Sequence, residues 1–168
     1  MELLIFSDSH GRGDAMRRAL AKQLSPPQAV CFLGDGLRDA QSLELGRAML
    51  YDVRGNCDWG VQADAPTERT VCLEGHRLLL THGHLHGVKG GLGALIAAAA
   101  RAEADIVLFG HTHTPTQIEI PAGETAGGVT LSRPMHLFNP GSIGMGGLFG
   151  TLHLTASDVL FSHGTCDR

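Results

Sequence analysis

Along this chain, short apolar runs are repeatedly cut off by polar residues. Leu3-Leu4-Ile5-Phe6 stops at Ser7-Asp8-Ser9-His10-Gly11. Ala29 to Leu33 stops at Gly34-Asp35-Gly36, and Met49 to Val53 stops at Arg54-Gly55-Asn56-Cys57-Asp58. Runs this short predict strands, and their unbroken apolar character predicts a sheet covered on both faces. Thr70 to Leu73 and His76 to Thr81 predict two strands joined by a tight turn at Glu74-Gly75, the second ending at His82-Gly83-His84. Asp105 to Phe109 predicts another buried strand, ending at Gly110-His111-Thr112-His113. Met16, Ala19, Leu20 and Leu24 recur at helical spacing. They predict a helix over Asp14 to Leu24, with Asp14 as its N-cap and Pro26-Pro27 beyond its end. Ala40 to Arg47 reads as a short helix and Leu92 to Glu103 as an Ala-rich one.

The later chain reads differently. Thr116 to Ile120 and Pro134 to Phe138 predict strands of a more antiparallel region, with a Gly-rich loop at Gly123 to Gly128. Thr151 to Thr155 and Val159 to Ser162 predict a closing hairpin. Alternating strands and helices followed by a strand-rich part predict an α/β fold. No repeat or linker divides the chain, so residues 1–168 are read as one domain.

Composition narrows the classes. The chain has 168 residues, 43% hydrophobic and 18% charged, enough for a globular core. Its net charge of −4 argues against stable nucleic-acid binding and against anionic membrane surfaces. The opening Met1-Glu2-Leu3-Leu4 lacks the basic region of a signal peptide, and no run approaches the ~18 apolar residues of a membrane helix. A cytoplasmic setting is expected. Cys31, Cys57, Cys72 and Cys166 show no Cys-x-x-Cys spacing; Cys31 and Cys72, inside apolar segments, are expected as buried thiols. The 10 histidines, without cysteine pairs, raise the question of a metal site.

Five strand-like segments end directly in groups able to bind a metal: Asp8-x-His10, Asp35, Asn56, His82-x-His84 and His111-x-His113. In open α/β sheets, loops at the carboxyl ends of strands converge on one crevice. Carboxylates, one amide oxygen and several imidazoles make a mixed shell suited to Mn, Fe, Zn, Co or Ni. Asp8, His10, Asp35, Asn56, His82, His111 and His113 are too many for one mononuclear site. Two metals sharing Asp35 account for them, an arrangement suited to phosphate ester hydrolysis.

The ordered series Asp8-x-His10, Gly34-Asp35, Gly55-Asn56-x-Asp58, His82-Gly83-His84 and Gly110-His111-x-His113 resembles the calcineurin-like metallophosphoesterase superfamily. Gly55-Asn56-Cys57-Asp58, Gly110-His111-Thr112-His113-Thr114-Pro115 and Asn139-Pro140-Gly141-Ser142 resemble its small YfcE-like phosphodiesterase branch. The resemblance spans Leu3 to about Gly150. It implies a four-layer αββα sandwich of two mixed sheets flanked by helices, with the metal site at the carboxyl ends of the strands. It implies two divalent ions, manganese first, with Ni, Co, Fe or Zn as alternatives. One would be held by Asp8, His10, Asp35 and His113, and the other by Asp35, Asn56, His82 and His111. The implied activity is attack on a small phosphodiester by a metal-bridging hydroxide.

One position departs from the superfamily. The histidine that often follows the Asn is here Cys57, a change shared by the YfcE-like branch. A thiol is a poor general acid. Diesters with good leaving groups are therefore expected over monoesters. His84 is the candidate substitute acid or supporting group, and Asp58 is readable either as orienting the site or as a plain surface acid. Arg12 and Arg54 are readable either as phosphate contacts or as salt-bridge partners. His86 is read as a solvent-facing loop residue, and His76, His136, His153 and His163 as structural.

Two other functions stay open: a phosphomonoesterase or nucleotide phosphatase on the same site, and a protein-interaction scaffold of the kind the fold provides in a retromer coat subunit. Complete ligands favour an enzyme. The Gly144 to Phe149 loop is readable as a subunit contact of a dimer or tetramer or as a core loop.

Overall fold

The computed structural model describes residues 1–60 and 65–166. In chain order the elements are β1 (Glu2–Phe6), α1 (Gly13–Ala21), β2 (Ala29–Phe32), α2 (Leu37–Gln41), β3 (Met49–Asp52), β4 (Glu68–Leu73) and β5 (His76–Thr81). A 3₁₀ turn at His84–His86 follows, then α3 (Gly93–Arg101), β6 (Ile106–Phe109), β7 (Thr116–Ile120), β8 (Thr125–Ala126) and β9 (Val129–Thr130). The chain closes with β10 (Met135–Asn139), α4 (Ile143–Gly146), β11 (Leu148–Leu154) and β12 (Val159–Thr165).

Two five-stranded sheets carry the fold, in the orders β12-β11-β1-β2-β3 and β4-β5-β6-β10-β7, beside a small β8-β9 ribbon. β1, β2 and β3 are parallel, as are β5, β6 and β10, and antiparallel strands close the edges. Parallel strands need both faces covered, which is why their sequences read as unbroken apolar runs. One face of each sheet meets the other through Leu3, Ile5, Leu78, Leu80, Ile106, Leu108 and Phe138. The outer face of the first sheet packs on α1, α2 and α4 through Phe6, Met16, Leu37 and Ile143. The outer face of the second packs on α3 through Leu95, Val107 and Leu137. The result is the expected four layers. All the parallel strands end toward one rim, where Asp8, Asp35, Asn56, His82, His111 and Asn139 lie just beyond or at the strand ends.

Three local expectations are corrected. The N-cap of α1 is Arg12, with no side-chain cap; Asp14 sits inside the first turn, where its carboxylate accepts from Arg18 at 2.5 Å. The short second helix spans Leu37–Gln41, not 40–47, because a distant carboxylate described below caps it. Cys72 is exposed, whereas Cys31 is buried. β4 is an edge strand that alternates between covered and open positions, and Cys72 takes an open one. The Glu74-Gly75 turn has φ values of 51° and 87°, the left-handed pair that a two-residue hairpin of this type requires.

Candidate metal centre

The predicted ligands come together, and their backbone shows what that assembly costs. Asp8, His10, Asp35, His111 and His113 all have positive φ, between 45° and 67°. For residues with a Cβ this left-handed conformation costs about 1–2 kcal/mol each. Strain repeated at strand ends points to a site that requires it. The glycines between these residues exist for close approach. A Cβ at Gly55 would lie 2.1 Å from Asp35 Oδ1, and one at Gly34 would lie 2.6 Å from the Gly55 nitrogen.

Two groups of side chains could each hold an ion: Asp8 with His10 and His113, and Asp35 with His82 and His111. Asp35 also groups with His10 and Cys57, so it stands between the two. Asp8 is fully buried. Its Oδ2 accepts from Ser7 Oγ at 2.5 Å and from the His111 amide at 3.1 Å. Its Oδ1 has no hydrogen bond at all. His113 Nε2 is 3.0 Å away but is not aligned to donate, and the Nε2 atoms of His10 and His82 are each 3.9 Å away. A buried carboxylate oxygen without a hydrogen bond, facing three imidazoles, is costly in isolation. A divalent cation between Asp8, His10 and His113 would satisfy that oxygen, so the residues fit such an ion.

The rings are aimed from behind. His82 Nδ1 donates to the Leu33 carbonyl at 2.7 Å, which turns Nε2 inward to 3.1 Å from Asn56 Oδ1, 3.1 Å from His111 Nδ1 and 3.4 Å from Asp35 Oδ2. Fixing the outer nitrogen in this way is how proteins select the inner one as ligand. His113 Nδ1 lies 2.9 Å from the Met145 sulfur, leaving Nε2 toward Asp8. The His10 loop is held by Asp39, whose Oδ2 accepts from Ser9 Oγ at 2.6 Å and from the Gly11 amide at 2.8 Å. Asn139 bonds Gly110 O and Thr112 Oγ1, steadying the His111 loop, and Ser142 Oγ donates to Asp8 O at 2.9 Å.

Asp58 borders the crevice but spends its oxygens on the backbone. Its two oxygens accept four amides, from Asp35, Gly36, Leu37 and Gly55, at 2.8–2.9 Å. This carboxylate joins the Asp35 loop to the Asn56 loop and caps α2. Cys57 donates its amide to Asp35 Oδ1 at 2.7 Å. Its thiol is pushed up to about 11, first by its bond to Asp35 and then by burial and the neighbouring acids.

Burial alone would raise the Asp35 carboxyl, but His82 and the Cys57 amide hold it well below the usual carboxylate range. Burial likewise opposes protonation of His82, but Asp35 and Asp8 outweigh it and raise its pKa. Burial and then the His82 charge lower both His84 and His111.

His84 lines a cavity of about 290 Å³ beside Asn56, its ring 5.4 Å from that of His82. Arg54 borders the same cavity, whereas Arg12 pairs with Asp14 at 3.3 Å. His86 is half-buried and pairs with Glu68, not left to solvent. His76, His153 and His163 bond Asp105, Glu2 and the Asn139 carbonyl, and His136 packs near Phe161. Asp39 and Met145 escaped the sequence reading. Neither lies in a motif; the Gly-rich surroundings of Met145 gave only a loop. The Gly144 to Phe149 stretch forms most of α4 and the start of β11.

The calcineurin-like phosphoesterase superfamily domain matches residues 1–159. The phosphodiesterase YfcE of Escherichia coli K12 is 31% identical over an alignment covering 95% of this chain and 90% of that protein. The probable metallophosphoesterase YsnB of Bacillus subtilis is 29% identical, covering 85% of this chain and 75% of that protein. A crystal structure of a predicted phosphoesterase from Streptococcus pneumoniae superposes with a TM-score of 0.75 at 25% identity, covering 99% of this chain and 90% of that one.

Proposed function

Because the chain belongs to the calcineurin-like phosphoesterase superfamily and is a metallophosphoesterase, we propose that it hydrolyses small phosphodiesters at a binuclear site. The observation that carries this reading is the bond-less, buried Asp8 Oδ1 among three imidazoles, beside a second cluster that shares Asp35. Asp8, His10, Asp35 and His113 would hold one ion and Asp35, Asn56, His82 and His111 the other. When bound, two divalent ions supply Lewis acidity that neutralises phosphate oxygens and activates water. The mixed imidazole and carboxylate set suits manganese, with Ni, Co, Fe or Zn also matching its donors.

The chain's own residues do the rest. Asp58 fixes the two loops that carry Asp35 and Asn56 at one separation. The Leu33 carbonyl holds the His82 tautomer. His84 faces the cavity as a neutral imidazole and offers a hydrogen bond to a substrate oxygen. On the leaving-group side would stand Cys57, whose sulfur accepts from Asn56 Nδ2 at 3.4 Å. A thiol is a weak acid beside imidazole, and a positioned acid is typically worth about 10²–10⁴-fold. Substrates must therefore leave as stable anions, which favours activated diesters over alkyl monoesters. Turnover of an aryl phosphodiester by the Mn-, Ni-, Co- or Zn-loaded protein tests this reading. Loss of turnover in Asp35→Ala supports it. A folded, metal-loaded protein with no turnover of diesters or monoesters would instead favour the scaffold role.

A further inference from the structure

We propose that Trp59 and Leu85 form the seat for a flat, apolar ester arm of the substrate, an aromatic ring or a nucleobase. The proposal rests on the phosphodiesterase reading and names the substrate class it would take. Trp59 is 88% exposed and Leu85 is 62% exposed. Single exposed apolar residues are ordinary. These two border one cavity of about 290 Å³, with Arg54, Asn56, Thr67 and His84 as further walls. Asn56 belongs to the donor cluster through its contact with His82, so the cavity opens directly beside the reacting centre.

The backbone that carries the indole is anchored next to it. Trp59 follows Asp58, whose four amide bonds fix the chain at that point. Trp59 also borders the adjoining cavity of about 350 Å³ that contains His10, Asp35 and Cys57. It therefore stands on the ridge between the two cavities. An arm bound on one side leaves the phosphate room at the cluster.

Size and charge limit the ligand. A volume of about 290 Å³ is at the lower end of small-molecule sites and suits one arm. The net charge of −4 disfavours a nucleic-acid strand. An indole stacks on the face of any aromatic ring, so shape selects the arm more than hydrogen bonding does. Arg54 borders the same cavity and would offer its guanidinium to a phosphate bound there.

Trp59 is the single tryptophan of the chain, so intrinsic fluorescence reports on it alone. The metal-loaded protein should be titrated with phenylphosphonate and with methylphosphonate. The phenyl compound is expected to change the emission and to bind about tenfold tighter, the usual size of one stacked base–aromatic contact. In parallel, kcat/KM should be compared for p-nitrophenyl phenyl phosphate and p-nitrophenyl methyl phosphate, which share a leaving group. The phenyl-to-methyl ratio should fall about tenfold in Trp59→Ala and fall less in Trp59→Phe, which keeps a ring. Unchanged emission with phenylphosphonate, or an unchanged ratio in Trp59→Ala, would overturn the seat. Absence of turnover for both diesters in the unmodified protein would overturn the phosphodiesterase reading, while the fluorescence titration still decides whether Trp59 binds the ring.

Discussion

Asp58 bonds four amides through two oxygens while almost fully buried. Replacing it with Ala leaves those amides without their acceptor. Asp58→Ala is expected to lower stability by about 3 kcal/mol or more and to weaken metal binding, read by urea denaturation and metal titration. Full stability in this variant would mean that water replaces the carboxylate without loss. The neighbouring residue carries a prediction about chemistry. Cys57→His introduces an imidazole at the position where the superfamily often carries its acid. It should flatten the dependence of kcat/KM on leaving-group pKa and raise monoester turnover, measured across substituted aryl diesters and monoesters. An unmodified enzyme with monoester turnover equal to its diester turnover and no steep slope would remove Cys57 from the account. It would point to His84 as the acid. The sequence left Asp58 open between an orienting acid and a surface acid, because its partners lie 21 to 23 residues away, apart from Gly55.

At the scale of elements, the buried parallel strands were legible because their apolar runs are continuous and stop sharply; the two-residue strands β8 and β9 were not, because the stretch around them is Gly-rich and reads as a loop. Most helix and strand boundaries followed local rules. α2 did not: it begins at Leu37 because Asp58, from another loop, accepts its first amides. Turn residues adjacent to the ligands were visible as glycines, yet the left-handed backbone of Asp8, Asp35 and His111 was not, since Asp and His tolerate that conformation without requiring it. The β2 and β3 ends meet where Gly34 and Gly55 touch. Gly55→Ala should push Asp35 out of place, because the added Cβ would fall 2.1 Å from its Oδ1. We expect the variant to bind fewer than two metal equivalents and to lose most turnover, while far-UV circular dichroism stays unchanged. Normal metal content would show that the loops can separate at little cost.

The whole molecule couples these loops to protons and ions. Metal loading should give close to two equivalents per chain by elemental analysis, and one equivalent unaffected by Asp35→Ala would exclude a shared centre. Chelation should leave the fold intact but lower the melting temperature, because the two-sheet core needs no ion while binding adds stability by mass action. The raised pKa of His82 gives a pH sign. Its proton stabilises the metal-free protein below the usual imidazole value of 6.5, and that contribution is lost as pH rises through the folded value. Metal binding must displace that proton, so affinity should fall as pH drops through the same range. His84 and His111, with lowered pKa values, add no such competition near neutrality. Calorimetric titration near pH 7 in buffers of different ionisation enthalpy should show proton release. Zero release would mean that His82 is already neutral there.

What the sequence determined by itself was the strands of the two main sheets, their α/β order and the seven candidate ligands. Short apolar runs and donor residues are local properties of a chain. What only the tertiary structure decided was proximity. It placed Asp35 between two clusters and left Asp8 Oδ1 without a hydrogen bond. It set Asp39 and Met145 behind ligands from other loops, and it brought Trp59 and Leu85 to one cavity. Those relations depend on how two sheets pack and on which strand ends then meet, and no local pattern encodes a distance between residues far apart in the chain.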